Sequence, residues 1–191
     1  MTRTIKGVLA AGAIAIVIVI VSVSTSARAQ GPVPRFEISG TSTVRGWTCP
    51  VDGVMSMTPG GGAPIPGFSD GVQSVTLTIQ VGEIACPDEQ MTEHLQDAME
   101  APSHPDIVYE LDEYAVTGDT AQASGTLSVH GVTKPISLEI ELVESADGRR
   151  GVGETEINMT DFGVTPPSVW GGLLNVGERV QVSFEFPLVA N

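Results

Sequence analysis

The residues of this chain whose types and spacing could do chemistry are three histidines, two cysteines and one serine in a G-x-S-x-G setting. Gly67-Phe68-Ser69-Asp70-Gly71 has the form of a hydrolase nucleophile motif, and Asp106 and His130 follow in the chain order of its usual partners. That chemistry needs the serine on a sharp strand-to-helix turn, with an oxyanion hole at the helix start. Here a stretch rich in proline and glycine (58–71, TPGGGAPIPGFSDG) precedes the serine, and an alternating strand pattern follows it. The stretch reads as a loop, with Ile65 and Phe68 either fringing an opening or pinning the loop down. A hydrolase using Ser69 is the disfavoured alternative.

His94, His104 and His130 include no i, i+4 pair that would set two ligands on one helix face. No EF-hand pattern occurs, and two cysteines are too few for a cysteine-rich zinc site, so spacing points to no metal centre. Cys49 and Cys86 form no C-x-x-C; an even pair in an exported chain is expected to close as a structural disulfide. Asn158-Met159-Thr160 matches the glycosylation sequon and reads as a chance match inside a strand. His130 ends a strand on its polar parity, Gly131 tolerates a positive φ, and Pro135 lies near the start of the next strand. A hairpin corner with a hydrogen-bonded imidazole accounts for all three.

The elements that must position these residues are strands. An alternating run begins at Phe36 and reaches Trp47, with Gly46 as its weak point. Val75–Val81, Ile107–Leu111, Leu127–His130, Ile136–Leu142 and Val180–Leu188 repeat the pattern. A period of two gives each strand one apolar and one wet face. Thr117-Gly118-Asp119, Ala146-Asp147-Gly148 and Asn175-Val176-Gly177 read as the turns between runs. About eight such strands point to an all-β domain, either a closed antiparallel barrel or a sandwich. One segment is helical: Pro87-Asp88-Glu89-Gln90 starts a short α-helix, Met91, Leu95, Ala98 and Met99 form its apolar stripe, and Pro102 stops it. It is either an amphipathic helix lying on the domain or a lid, for which methionine suits an irregular apolar ligand.

The chain has 191 residues. Arg3 and Lys6 precede an apolar run over 8–23, and Ala27-Arg28-Ala29 has the small residues of a cleavage site. Residues 1–29 therefore read as a signal peptide, with an uncleaved membrane anchor as the alternative, and 30–191 as one exported domain with no stable membrane insertion after cleavage. The formal charge of −14 becomes more negative once Arg3, Lys6 and Arg28 are removed. Such a surface repels nucleic acid and anionic headgroups while leaving a neutral ligand unaffected.

Several segments resemble the YceI-like family of exported bacterial proteins. The likeness is carried by LSVHGVTKPISL at 127–138, INMTDFGV at 157–164, VGERVQVSF at 176–184, FEISGTSTVRGW at 36–47 and HPDIVY at 104–109. The resemblance implies an extended lipocalin-like barrel of about eight antiparallel strands, a helix near one end, and a polyisoprenoid or similar amphiphile in the tunnel. With five Phe, two Trp and two Tyr in the chain, most of the inner face would be Val, Ile and Leu. That favours a smooth apolar tunnel, without the fixed hydrogen bonds a polar substrate needs; the resemblance implies that it holds an isoprenoid or quinone-like lipid, with no other cofactor and no catalysis expected. The expected lining is Phe36, Ile38, Trp47, Leu77, Ile79, Ile107, Tyr109, Leu127, Val129, Ile157, Met159, Phe162, Val182 and Phe184. A filled barrel acting through its acidic surface on a basic partner is the rival.

Overall fold

The computed structural model describes residues 33–65, 69–146 and 148–188. The expected leader over 1–29, and Gly67, Phe68 and Asp147, lie outside them. Among the described residues, ten strands carry the fold: β1 (Arg35–Ser42), β2 (Gly46–Asp52), β3 (Val54–Pro59), β4 (Val72–Gln80), β5 (Asp106–Thr117), β6 (Thr120–Val129), β7 (Val132–Ser145), β8 (Gly148–Asn158), β9 (Ser168–Val169) and β10 (Leu174–Leu188). One α-helix, α1 (Glu89–Ala98), lies between β4 and β5.

Hydrogen bonding runs in the order β2-β1-β10-β8-β7-β6-β5-β4-β3, with the short β9 added to β10. The two ends of this path are the same piece of chain. Asp52 of β2 pairs with Arg35, and Val54 of β3 pairs with Thr78, with Gly53 between them. A single bent strand therefore joins both edges, and the antiparallel sheet curls round on itself. Gly53 makes the corner possible, because a Cβ there would stand 2.6 Å from the Phe36 ring and 3.2 Å from the Thr78 carbonyl oxygen. Because each half of the bent strand pairs on one side only, the curl shortens the edge that an open sheet would offer for aggregation.

Three details depart from the sequence reading. The run from Phe36 to Trp47 is two strands: the Ser42 hydroxyl accepts from the Arg45 N–H at 3.1 Å, and the Ser42 N–H donates to the Arg45 carbonyl at 2.9 Å, folding the chain back. Asn175-Val176-Gly177 makes no turn but lies inside β10, where the Asn175 side chain is occupied by Ser168 and the Gly172 carbonyl. The sequon is not within a strand either. Asn158 ends β8 and caps a 3-10 turn over Met159–Phe162, its side-chain oxygen accepting from the Thr160 N–H at 3.1 Å and the Thr160 hydroxyl at 2.8 Å.

In β5, a bulge between Leu111 and Glu113 changes the parity of the inward face. Ile107, Tyr109 and Leu111 face in before it, and Tyr114 and Val116 after it. The main core draws on nearly every strand, from Phe36 and Val51 through Leu77, Leu127, Leu138 and Ile140 to Phe184.

Candidate functional site

The curled sheet encloses a cavity of about 390 Å³. Its lining is almost wholly hydrocarbon, and all fourteen residues expected to face inward contribute to it. Phe36, Ile38, Trp47, Leu77 and Ile79 come from β1, β2 and β4; Ile107, Tyr109, Leu127 and Val129 from β5 and β6; Ile157, Val182 and Phe184 from β8 and β10. Met159 and Phe162 reach the lumen from the 3-10 turn. The alternation of the strands explains this agreement, since one parity of each strand has nowhere else to go. The sequence reading left out Met55, Met57, Val75, Leu111, Leu138 and Ile140, which share the same inward parities and also line the space.

Aromatic rings of the lining pack against glycines of the wall, which leaves room in the lumen. Trp47 covers Gly40, Phe184 covers Gly153 and Phe186 covers Gly151, each pair being direct cross-strand partners. Phe36 lies against Gly53, and Tyr109 against Gly125. At these glycines a Cβ would stand 2.5–2.9 Å from a ring atom. At Gly40 and Gly151 the atoms in the way are all side chain, so a larger residue there would push a ring inward, whereas at Gly125 and Gly153 it would also strike a backbone carbonyl. Five niches in the wall thus convert bulky side chains into lining.

The helix lies across one end. Asp88 caps α1 by accepting from the Met91 N–H at 3.0 Å, and Met91, Leu95, Ala98 and Met99 point into the lumen. Cys49 of β2, fully buried, is disulfide-bonded to Cys86 just ahead of the helix, a sequence separation of 37 residues. The Met91 sulfur lies 3.7 Å from Cys49 Sγ. Gln96 donates to the carbonyls of Gly82 at 3.1 Å and Ile84 at 3.2 Å. The helix is thus fastened at its N-terminal end by the disulfide and in its last turn by Gln96. The exposed polar residues of the lining, Arg45, Asp88, Gln90 and His94, come from the β1–β2 turn and α1, so the lumen meets solvent at this end. Towards the other end, the Tyr114 hydroxyl accepts from the Val72 N–H at 2.9 Å and donates to the Ala63 carbonyl, holding the 60–65 loop and its Ile65 against the barrel.

Inside the lumen wall the phenol oxygen of Tyr109 is buried without a hydrogen-bond partner. Burial, reinforced by the charge of Asp112, pushes its pKa up to about 12.

Ser69 occupies an exposed turn that leads into β4, not into a helix, so the setting of a nucleophile elbow does not form around it. His130 does occupy a two-residue hairpin corner, but its Nε2 has no hydrogen-bond partner. It packs instead beside His104, with ring centroids 4.4 Å apart. The fold brings these two histidines together from separate elements, which spacing along the chain does not reveal.

The YceI-like domain profile matches residues 36–188. The chain belongs to the YceI-like family. Among curated YceI-like relatives, a UPF0312 protein of Pseudomonas aeruginosa (strain LESB58) is 26% identical over 98 residues, 47% of this chain and 51% of that protein. Protein YceI of Salmonella arizonae is 28% identical over 99 residues, 48% of this chain and 52% of that protein. The chain spans about half the length of the curated relatives it matches. Among solved structures, BcnA of Burkholderia cenocepacia superposes with a TM-score of 0.66 at 15% identity, covering 80% of this chain and 94% of that one. A domain from Saccharophagus degradans described as polyisoprenoid-binding superposes with a TM-score of 0.55 at 17% identity, covering 80% of this chain and 90% of that one. These likenesses place the fold among YceI-like barrels.

Proposed function

We propose that this protein is an exported carrier or scavenger that holds one long isoprenoid-like lipid in its lumen and acts by binding, without catalysis. The observation that carries this reading is the hollow itself, a hydrocarbon-lined space with aromatic rings packed against glycines of its wall. Its volume of about 390 Å³ lies near the small end of ligand cavities, which suits a single slender chain over a fused-ring ligand. Each CH₂ equivalent buried contributes about 0.8 kcal/mol, so a few prenyl units exceed the cost of ordering the chain. No fixed polar constellation is needed, and the fourteen lining residues act as a smooth wall. The polyisoprenoid-binding description of the Saccharophagus domain supports the same ligand class. An apolar run and cleavage pattern at the N-terminus, together with the Cys49–Cys86 bond, support function in an oxidising extracytoplasmic compartment.

Displacement of an environment-sensitive fluorescent lipid tests the reading. A polyprenol and a polyprenyl quinone should each displace the probe saturably at one site per chain. Val182→Trp, which adds volume to the lumen, should weaken both. Failure of both lipids to displace the probe, or displacement that Val182→Trp leaves unchanged, removes the reading.

A further inference from the structure

At the end of α1 opposite the disulfide, three side chains able to ligate a metal ion converge outside the lumen. One ligating atom each of Glu100, His104 and His130 lies within 4.8 Å of the other two. His130 Nε2 stands 3.8 Å from Glu100 Oε1, and the two imidazole planes are tilted by 59°. That Nε2 is buried and has no hydrogen-bond partner.

The backbone is distorted to build this meeting. Among the described residues, Glu100 and His130 are the non-glycine positions with positive φ, at 49° and 50°. Glu100 terminates α1 in a Schellman motif: its N–H donates to the Asp97 carbonyl, and the Ala101 N–H donates to the Gln96 carbonyl, each at 3.0 Å. Glycine is the usual residue there. His130 and Gly131 (φ 75°) form the β6–β7 turn, where asparagine or glycine is usual at the first position. The Ser103 and His104 N–H groups both donate to the Glu100 carbonyl, at 2.8 and 2.9 Å, turning His104 back over Gly131. Two backbones hold side chains where a glycine would be more comfortable, and those side chains meet. Strain of this kind collects at functional sites.

We propose that Glu100, His104 and His130 bind a divalent transition-metal ion of the zinc class, leaving one coordination position open. Two imidazole nitrogens and one carboxylate oxygen are a borderline donor set that suits Zn²⁺, whereas Ca²⁺ and Mg²⁺ require shells of oxygen. Metal–ligand bonds of 2.0–2.2 Å in a tetrahedron place ligand atoms about 3.3 Å apart. The exposed Glu100 side chain can swing in to close the remaining gap. The ion joins the C-terminal end of the helix to the β6–β7 turn, as the disulfide joins its N-terminal end to β2. This site is independent of the ligand in the lumen.

The test is calorimetric titration of the chelator-stripped, untagged protein with Zn²⁺ alone, and with Co²⁺ for its visible d–d bands. One ion per chain, a tetrahedral-type Co²⁺ spectrum and a zinc-dependent rise in Tm are expected. Glu100→Gly and His130→Asn suit the left-handed backbone better than the native residues, so both should fold with an equal or higher metal-free Tm. Both should nonetheless lose more than the ~10–100-fold in zinc affinity that removing an outer-shell partner costs. His104→Gln should lose as much, and Glu93→Gln, an exposed carboxylate earlier on the helix, should not change it. No stoichiometric zinc binding, or binding equally strong in Glu100→Gly and His130→Asn, overturns the proposal.

Discussion

Phe186 lies across Gly151, its partner on β8, with the ring Cζ 2.5 Å from where a Cβ would stand. The other atoms near that position, Phe186 Cε2 at 2.7 Å and Ile140 Cγ2 at 3.0 Å, also belong to side chains. The niche can therefore be filled without displacing backbone. Gly151→Ala should tip the ring into the lumen, at an overpacking cost of about 1–3 kcal/mol. Losing room for about two CH₂ groups should weaken a long apolar ligand by roughly tenfold. Adding Phe186→Leu should restore binding. Paired denaturation and ligand-displacement titrations check both effects, and unchanged affinity in Gly151→Ala would show that the ring does not set the width of the hollow.

Tyr109 gives a prediction in pH. Its pKa is raised to about 12 by burial and by Asp112, against about 10 in the unfolded chain. Between those values the unfolded state has released the proton while the folded state keeps it. Stability from this group is therefore complete below pH ~10 and lost as pH rises towards 12. Ultraviolet difference titration of wild type against Tyr109→Phe should place the missing phenolate step near pH 12. Because the buried hydroxyl has no partner, Tyr109→Phe should also leave stability unchanged or raise it by about 1 kcal/mol at neutral pH. A loss of more than about 1 kcal/mol would mean that the hydroxyl has a partner in solution.

Breaking the Cys49–Cys86 bond should cost up to about 4 kcal/mol on the chain-entropy account of a loop this long. The effect should not be uniform. Cys86 holds the segment that enters α1, so Cys49→Ala/Cys86→Ala should speed hydrogen exchange in the helix more than in β6 and β7, and hasten probe release. Equal acceleration everywhere would mean that the bond stabilises only the whole domain.

The strand pattern was legible in the sequence because period-two alternation marks the buried parity directly. Leu77 and Ile79, or Val182 and Phe184, could be assigned to the inner wall without knowing which strands pair. The helix was legible from Pro87, Asp88 and its Met/Leu stripe. Barrel closure was harder to see, because it depends on Gly53 joining two strands whose partners lie at opposite ends of the pairing order. Composition favoured a hollow over a filled barrel but could not decide it, since the room depends on rings such as Trp47 and Phe184 packing on glycines of neighbouring strands. The Glu100, His104 and His130 cluster left no local spacing to find, because a helix end and a hairpin turn meet only after folding. Asn175 and Gly177 misled the reading, since their turn-like composition serves a bulged strand whose polar groups are satisfied by β9 and the Gly172 carbonyl.

Native mass spectrometry of the protein isolated from its own cells without detergent tests the central claim most directly. The account predicts a population carrying one lipid-sized adduct per chain, removed by organic extraction and diminished in Gly151→Ala. A bare chain mass in the wild type, unaltered by incubation with polyprenyl lipid, would contradict it.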